Sequence, residues 1–327
     1  MIDRETVIWA YRLILGREPE CEESITFHRQ HASVLQLRKT LMSSDEFMQF
    51  QPTASRPHEA VGFPSWDDLH APRLVFMHCP KTGGTTLHEL LVQSFSTSQI
   101  CPERFNGVKN LPTGQLLQYQ FFSGHYDLIS CQLIPGAKRI ITFLREPVGR
   151  LLSLYNFLRA HRPDVVARNG WGLARLAMEF EVEAFFSQPI VRSHPYLNNG
   201  MSRALVGALP IEVWPNVDEA LVLPDITGKS NLALERLKEL FAFGLLEQYE
   251  PSVKLVFSAL GLPQPKAIER KMALTDLVNQ PGNYRPVESA QVTPELRAVV
   301  EDLVNMDREL YIGAQALLEQ RLMSVKT

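Results

Sequence analysis

The stretch "RLVFMHCPKTGGTTLHELL" (residues 73–91) decides the fold. It runs from an apolar strand-like segment through a small Gly/Thr loop into a helical pattern, with Leu87, Leu90, Leu91 and Phe95 on one face. Gly83 and Gly84 let the backbone come close to an anion, and a turn of this kind points successive N–H groups inward. Thr85 and Thr86 add hydroxyls where a helix N-terminus favours negative charge, and Lys81 adds a mobile cation. In the nucleoside-triphosphatase loop the lysine follows the last glycine, whereas here it precedes both. By itself the loop says "anion", and an unliganded strand-to-helix turn would use the same residues.

Outward from the loop, the strand–loop–helix pattern repeats. "QFF" (120–122) reads as the end of a second strand and "KRIITFL" (138–144) as a third. Pro147 opens a helix with Leu151, Leu152, Tyr155 and Leu158 at helical spacing. This repetition predicts an α/β fold, three-layered and P-loop-like, around a central, mainly parallel sheet. Its site belongs at the carboxyl ends of the strands. Residues 171–245 read as mostly helical, and 290–323 as a long amphipathic helix broken near Asn305.

Residues 1–50 predict a small all-helical module. Val7, Ile8, Tyr11, Ile14 and Leu15 share a face, Gly16 stands where a C-terminal cap is wanted, and Ser33 can cap a run with Val34, Leu37 and Leu41. "SSDEFMQF" (43–50) offers another short helix start. Residues 51–72 carry four prolines and no sustained period, which predicts a linker and leaves 73–327 as the main domain.

The 327 residues, 45% hydrophobic and 21% charged, have an ordinary globular balance. A net charge of -3 speaks against a general nucleic-acid binder. The cysteines at 21, 79, 101 and 131 form no C-x-x-C pair and no zinc pattern; a Cys101–Cys131 bridge is the one pairing left open, with free thiols expected. No metal site is expected. The N-terminus lacks the apolar core of a signal peptide, and no run is long enough to span a membrane, so a cytoplasmic location is expected.

A second motif, "FLREPVGRLLSLYNFLR" (143–159), places Arg145 just past a strand, with Arg150 and Ser153 one helical turn apart. Arginine suits bidentate phosphate contact and serine can donate beside it. P-K-T-G-G-T-T-L after a strand resembles the 5′-phosphosulfate loop of the sulfotransferases, and R-E-P-V-G-R-L-L-S-L-Y resembles their 3′-phosphate motif. "FFSGHYDL" (121–128) stands where the carbohydrate branch, which includes the heparan and uronyl 2-O-sulfotransferases and bacterial relatives, carries a Gly-His motif. "AFGLLEQYEPSVKLVFSALGL" (242–262) and "DRELYIGAQALLEQRL" (307–322) are similar to later segments, so the resemblance covers about 73–323.

The resemblance implies a donor, 3′-phosphoadenosine 5′-phosphosulfate (PAPS), a product, adenosine 3′,5′-bisphosphate (PAP), and a hydroxyl-bearing carbohydrate acceptor, with no metal. It implies that Lys81, Thr82, Gly83, Gly84, Thr85 and Thr86 hold the 5′-phosphosulfate and that Arg145 and Ser153 hold the 3′-phosphate. It makes His125 the general base of an in-line transfer, with Lys81 stabilising charge on the leaving phosphate. A second histidine of the heparan branch is replaced here by Ser123. Arg159 is a candidate acceptor contact or a solvated side chain, and Arg203, in "YLNNGMSRALVG" (196–207), a candidate site residue. "NQPGNYRP" (279–286) is either a loop over the nucleotide or an ordinary turn. "AYRLILGREPE" and "LRKTLMSSDEF" resemble the helical module DUF4214 of bacterial surface-polysaccharide and secreted proteins, which offers residues 1–50 for protein contacts. The alternatives are a P-loop kinase, which the lysine order opposes, and a non-catalytic nucleotide-binding protein.

Overall fold

The computed structural model describes residues 2–15, 17–42, 44, 46, 72–210, 219–266, 268 and 282–324. Gly16, nearly all of the 51–72 linker and residues 279–281 lie outside the described residues.

Four strands, β1 (Arg73–Met77), β2 (Phe121–Gly124), β3 (Lys138–Leu144) and β4 (Ala242–Leu245), form one sheet in the order β2-β1-β3-β4. Every neighbouring pair is parallel. β1 is buried along its whole length, as a strand covered on both faces must be. Its side chains alternate between two cores. Leu74 and Phe76 join Phe121, Ile141 and Phe143 against the helices Gly84–Val92 (α4) and Tyr249–Leu260 (α11). Val75 and Met77 join Phe122, Leu144 and Phe243 against helices Leu128–Leu133 (α5), Gly200–Val206 (α9), Ser230–Glu239 (α10) and Glu301–Ser324 (α13). The result is the expected three-layer α/β sandwich.

A third core packs Pro147–Arg159 (α6) with Pro163–Asn169 (α7), Gly172–Glu179 (α8) and Pro294–Val299 (α12). Glu146 caps α6 by accepting from the Val148 and Gly149 N–H groups, and Pro147 fills the first helical position, where no N–H is needed.

The N-terminal helices are Arg4–Leu15 (α1), Glu22–Arg29 (α2) and Val34–Met42 (α3). Val7, Ile8, Tyr11, Leu15, Ile25, Leu37 and Leu41 form a small separate core. Ser33 Oγ accepts from the Gln36 N–H at 3.2 Å, the expected cap of α3.

Several boundaries differ from the sequence reading. "QFF" begins β2 rather than ending it. β4 lies inside a region that reads as helical; four residues are too few to show a period of two. The C-terminal helix breaks at Val300, not near Asn305. At Asn305 the helix continues, while the N–H groups of Met306 and Asp307 turn to Asn199 Oδ1 at 2.9 and 3.2 Å. Cys101 and Cys131 are both buried free thiols. Among the described residues no helix is long and apolar enough to cross a membrane, and no three His, Cys, Asp or Glu side chains group as metal ligands.

Candidate active site

The parallel sheet places the residues that follow β1, β2 and β3 side by side at its carboxyl edge. Met77 pairs with Gly124 on one side and Thr142 on the other. His78, His125 and Arg145 therefore leave the sheet together, where strand order reverses around β1.

The loop after β1 is tightly built. Lys81 has φ 67° and Gly83 φ 84°, two left-handed residues that wrap the chain into the start of α4. Gly84 is required by a close approach: a Cβ there would lie 2.1 Å from the His78 ring. Tyr249 donates to Gly83 O at 3.0 Å. Thr82 is buried and donates its hydroxyl to Cys79 O at 2.8 Å, so this side chain closes the loop. Thr85 and Thr86 open α4, as expected.

Lys81 Nζ has no carboxylate partner among the described residues and lies 4.1 Å from the Phe157 ring centre. Burial first, and then the charge of Arg145, lower its pKa from 10.5 to about 8. A desolvated ammonium without a counterion is a group built to receive an anion.

The second motif is joined to the first. Arg145 Nη1 donates to Lys81 O at 3.1 Å. Arg145 Nε lies 3.9 Å from where a Cβ of Gly149 would stand, and Ser153 is one turn further along that strip of α6. Arg145 thus stands beside the loop and at the start of the α6 strip to which Ser153 belongs by helical spacing. Arg150, by contrast, is fully buried, donates to Tyr196 O at 2.8 Å and pairs with Asp307 at 3.4 Å, while Asp307 also accepts the Met201 and Ser202 N–H groups. Arg150 is an internal tie between α6, α9 and α13, not a phosphate ligand.

His125 follows the end of β2. Its Nδ1 lies 2.7 Å from His78 O. A carbonyl oxygen only accepts, so Nδ1 carries the proton and Nε2 keeps its lone pair. Nε2 has no partner among the described residues. Burial and the charges of Arg104 and Lys81 outweigh the bond to His78 O and lower the His125 pKa to about 4. The backbone fixes the ring as well: His125 N–H donates to Arg104 O at 2.7 Å, and Tyr196 OH donates to His125 O at 3.1 Å. That approach explains Gly124, since a Cβ there would stand 2.4 Å from Arg104 O.

Three residues at the site went unassigned in the sequence. His78 is buried, with its ring centre 4.7 Å from that of His125. His88, on α4, has Nδ1 2.9 Å from Ser123 Oγ. Arg104 Nη1 lies 3.0 and 2.9 Å from the two ring nitrogens of His88. His88 and Ser123 were both visible in quoted motifs, but only the fold shows that they meet; Arg104 sits in an irregular segment with no local signal.

The two candidate acceptor contacts separate. Arg159 is partly exposed at the end of α6, 5.3 Å above the Tyr155 ring. Arg203 is buried and spends its donors on Asn198 O, Asn198 Oδ1 and Pro224 O, at 2.8, 3.2 and 2.7 Å. Together with Asn199, whose side chain holds the Asp302 carbonyl and α13 N–H groups, it makes "YLNNGMSRALVG" an internal brace. The expectation of Arg203 as an acceptor contact is corrected accordingly. From the 279–286 stretch, Asn283 to Arg285 pack on the end of α6: Arg162 N–H donates to Asn283 O at 2.9 Å and Arg285 N–H to Ala160 O at 2.7 Å.

Fold and site together define an α/β protein with a tight lysine-bearing loop and an oriented histidine at the carboxyl edge of a parallel sheet. No protein-family model matches the chain. A protein-tyrosine sulfotransferase of Arabidopsis thaliana is 29% identical over 85 residues, which are 26% of this chain and 17% of that protein. The match thus spans about a sixth of that relative's length. Among solved structures, mouse sulfotransferase SULT7A1 complexed with PAP aligns with 80% of this chain and 98% of its own, at 12% identity and a TM-score of 0.38.

Proposed function

We propose that this protein is a PAPS-dependent sulfotransferase that moves a sulfuryl group to a hydroxyl of a carbohydrate acceptor. The observation that carries the reading is the neutral His125, its Nδ1 proton committed to His78 O and its Nε2 left to take a proton, flanked by the uncompensated Lys81. PAPS supplies a sulfuryl group on a phosphate leaving group. His125 Nε2 accepts the hydroxyl proton of the acceptor. Lys81 and the N–H groups of the loop from Thr82 to Thr86 hold the negative charge of the 5′-phosphosulfate. Arg145 and Ser153 hold the 3′-phosphate and fix the position of the donor. The Gly-His motif supports a carbohydrate acceptor, and the similarity to the Arabidopsis protein makes tyrosine the rival.

The donor is tested by thermal shift: PAP raises the melting temperature and ATP with Mg²⁺ does not, and equal indifference to both refutes the reading. The acceptor is tested by labelled-sulfate transfer from PAPS onto polysaccharides and tyrosine peptides. Incorporation into peptides alone removes the carbohydrate assignment.

A further inference from the structure

One cation beside the proposed base has no assigned work. Arg104 is partly buried, and its guanidinium rests on the His88 imidazole, which is itself tied to Ser123. No carboxylate pairs with it among the described residues. The neighbouring Glu103 turns away and accepts the Phe105 N–H at 2.7 Å. The surrounding groups offer no negative charge either: His78, His88 and His125 are all held neutral, burial acting first and the Arg104 charge adding to it. A partly desolvated guanidinium among neutral rings lacks half of an ion pair.

Its position separates it from the donor grip. Arg104 is bonded through its backbone to His125, at the end of β2, while Arg145 follows β3 on the other side of β1. Lys81 and Arg104 are both near enough for their charges to act on the His125 ring, so the second cation stands within reach of the proposed base. The guanidinium fork matches a planar or tetrahedral oxyanion.

We infer that Arg104, braced by His88 and Ser123, is an acceptor-side subsite for an oxyanion, a carboxylate or a sulfate ester, carried by the acceptor near the hydroxyl that His125 deprotonates. The inference rests on the sulfuryl-transfer reading for the chemistry next door; the anion subsite itself does not.

The test uses the full chain saturated with PAP, at fixed ionic strength, with D-glucuronate, D-glucose 6-sulfate and D-glucose as probes in calorimetric titration. At least one anionic sugar should bind about tenfold or more tighter than glucose, consistent with one charge-assisted contact. The two anionic probes distinguish carboxylate from sulfate. Arg104→Gln should bring the anionic and neutral sugars within about twofold of each other, while its melting temperature and its PAP response stay those of the wild type. Arg104→Lys, which keeps the charge and loses the fork, should fall between. Equal binding of all three sugars by the wild type, including none, overturns the inference, as does a preference that survives in Arg104→Gln. If PAP fails to bind the wild type, the donor reading falls, and the same sugar comparison on the unliganded chain still decides the subsite.

Discussion

The desolvated Lys81 makes a quantitative prediction about protons. Its pKa falls from 10.5 to about 8, mainly through burial, so the fold holds the cation at a cost of ~3 kcal/mol relative to solvent. An anion placed against Nζ reverses that cost and returns the pKa toward or above its ordinary value. Binding of PAP should therefore take up protons. In the free protein at pH 8 about half of the Lys81 side chains are neutral, and in the complex nearly all are charged. The uptake should be about 0.5 proton per site at pH 8. Both phosphates of PAP titrate near pH ~6 and contribute little at pH 8, whereas at pH 7 the protons they release offset the small share of Lys81. Titration calorimetry in buffers of different ionisation enthalpy measures the uptake directly. Above pH 8 the PAP affinity should weaken, approaching about tenfold per pH unit. Lys81→Met should lose the uptake at pH 8 and flatten that dependence. Zero uptake in the wild type, or the same uptake in Lys81→Met, would refute the assignment of Lys81 as the donor's desolvated counter-charge.

Other predictions bear on the base and its supports. His125→Gln should lower transfer by about 10²–10⁴-fold with the PAP thermal shift intact, and full activity removes His125 as the base. In an NMR titration of the nine histidines, the signal lost in His125→Gln should titrate at about 4 in the free protein and move upward when PAP adds negative charge; a free-state midpoint near ~6.5 contradicts the burial argument. Gly124→Ala should destabilise by about 1–3 kcal/mol in chemical denaturation, because its Cβ would stand 2.4 Å from Arg104 O. Asp307→Ala strands buried Arg150 and should cost about 3–5 kcal/mol; a loss below 1 kcal/mol would show that the pair is not sequestered.

Much of the fold was legible because β1 and β3 are long, apolar and followed at once by loop-and-helix signals. β3 in particular spans the residues that its sequence pattern predicts. β4 was not legible: its four residues become a strand by pairing with Ile141–Leu144, a contact made about a hundred residues away. The proposed donor side of the site could be read because its residues lie in two short motifs. Arg150 and Arg203 show the opposite failure. Arg150 stands between Arg145 and Ser153, and Arg203 in a motif-like segment. Yet both turn inward, Arg150 onto a carbonyl and Asp307, and Arg203 onto Asn198 and a carbonyl, and an inward arginine looks the same as an outward one until its partners are placed.

The two phosphate motifs are better understood as one unit than as two grips that meet at the ligand. Lys81 sits in the left-handed region without being glycine, a conformation that needs support from its surroundings. That support includes Arg145, whose Nη1 holds the Lys81 carbonyl, while the same guanidinium lowers the Lys81 pKa by its charge. Arg145 thus helps shape the loop and keeps the ammonium ready to gain from an anion. The glycines act in the same sense. Gly84 admits the His78 ring, His78 O fixes the His125 tautomer, and Gly124 admits the carbonyl that holds the His125 backbone. Gly84 makes room for the residue whose carbonyl orients the His125 ring, and Gly124 for the carbonyl that holds the His125 backbone, so both glycines serve the orientation of the proposed base.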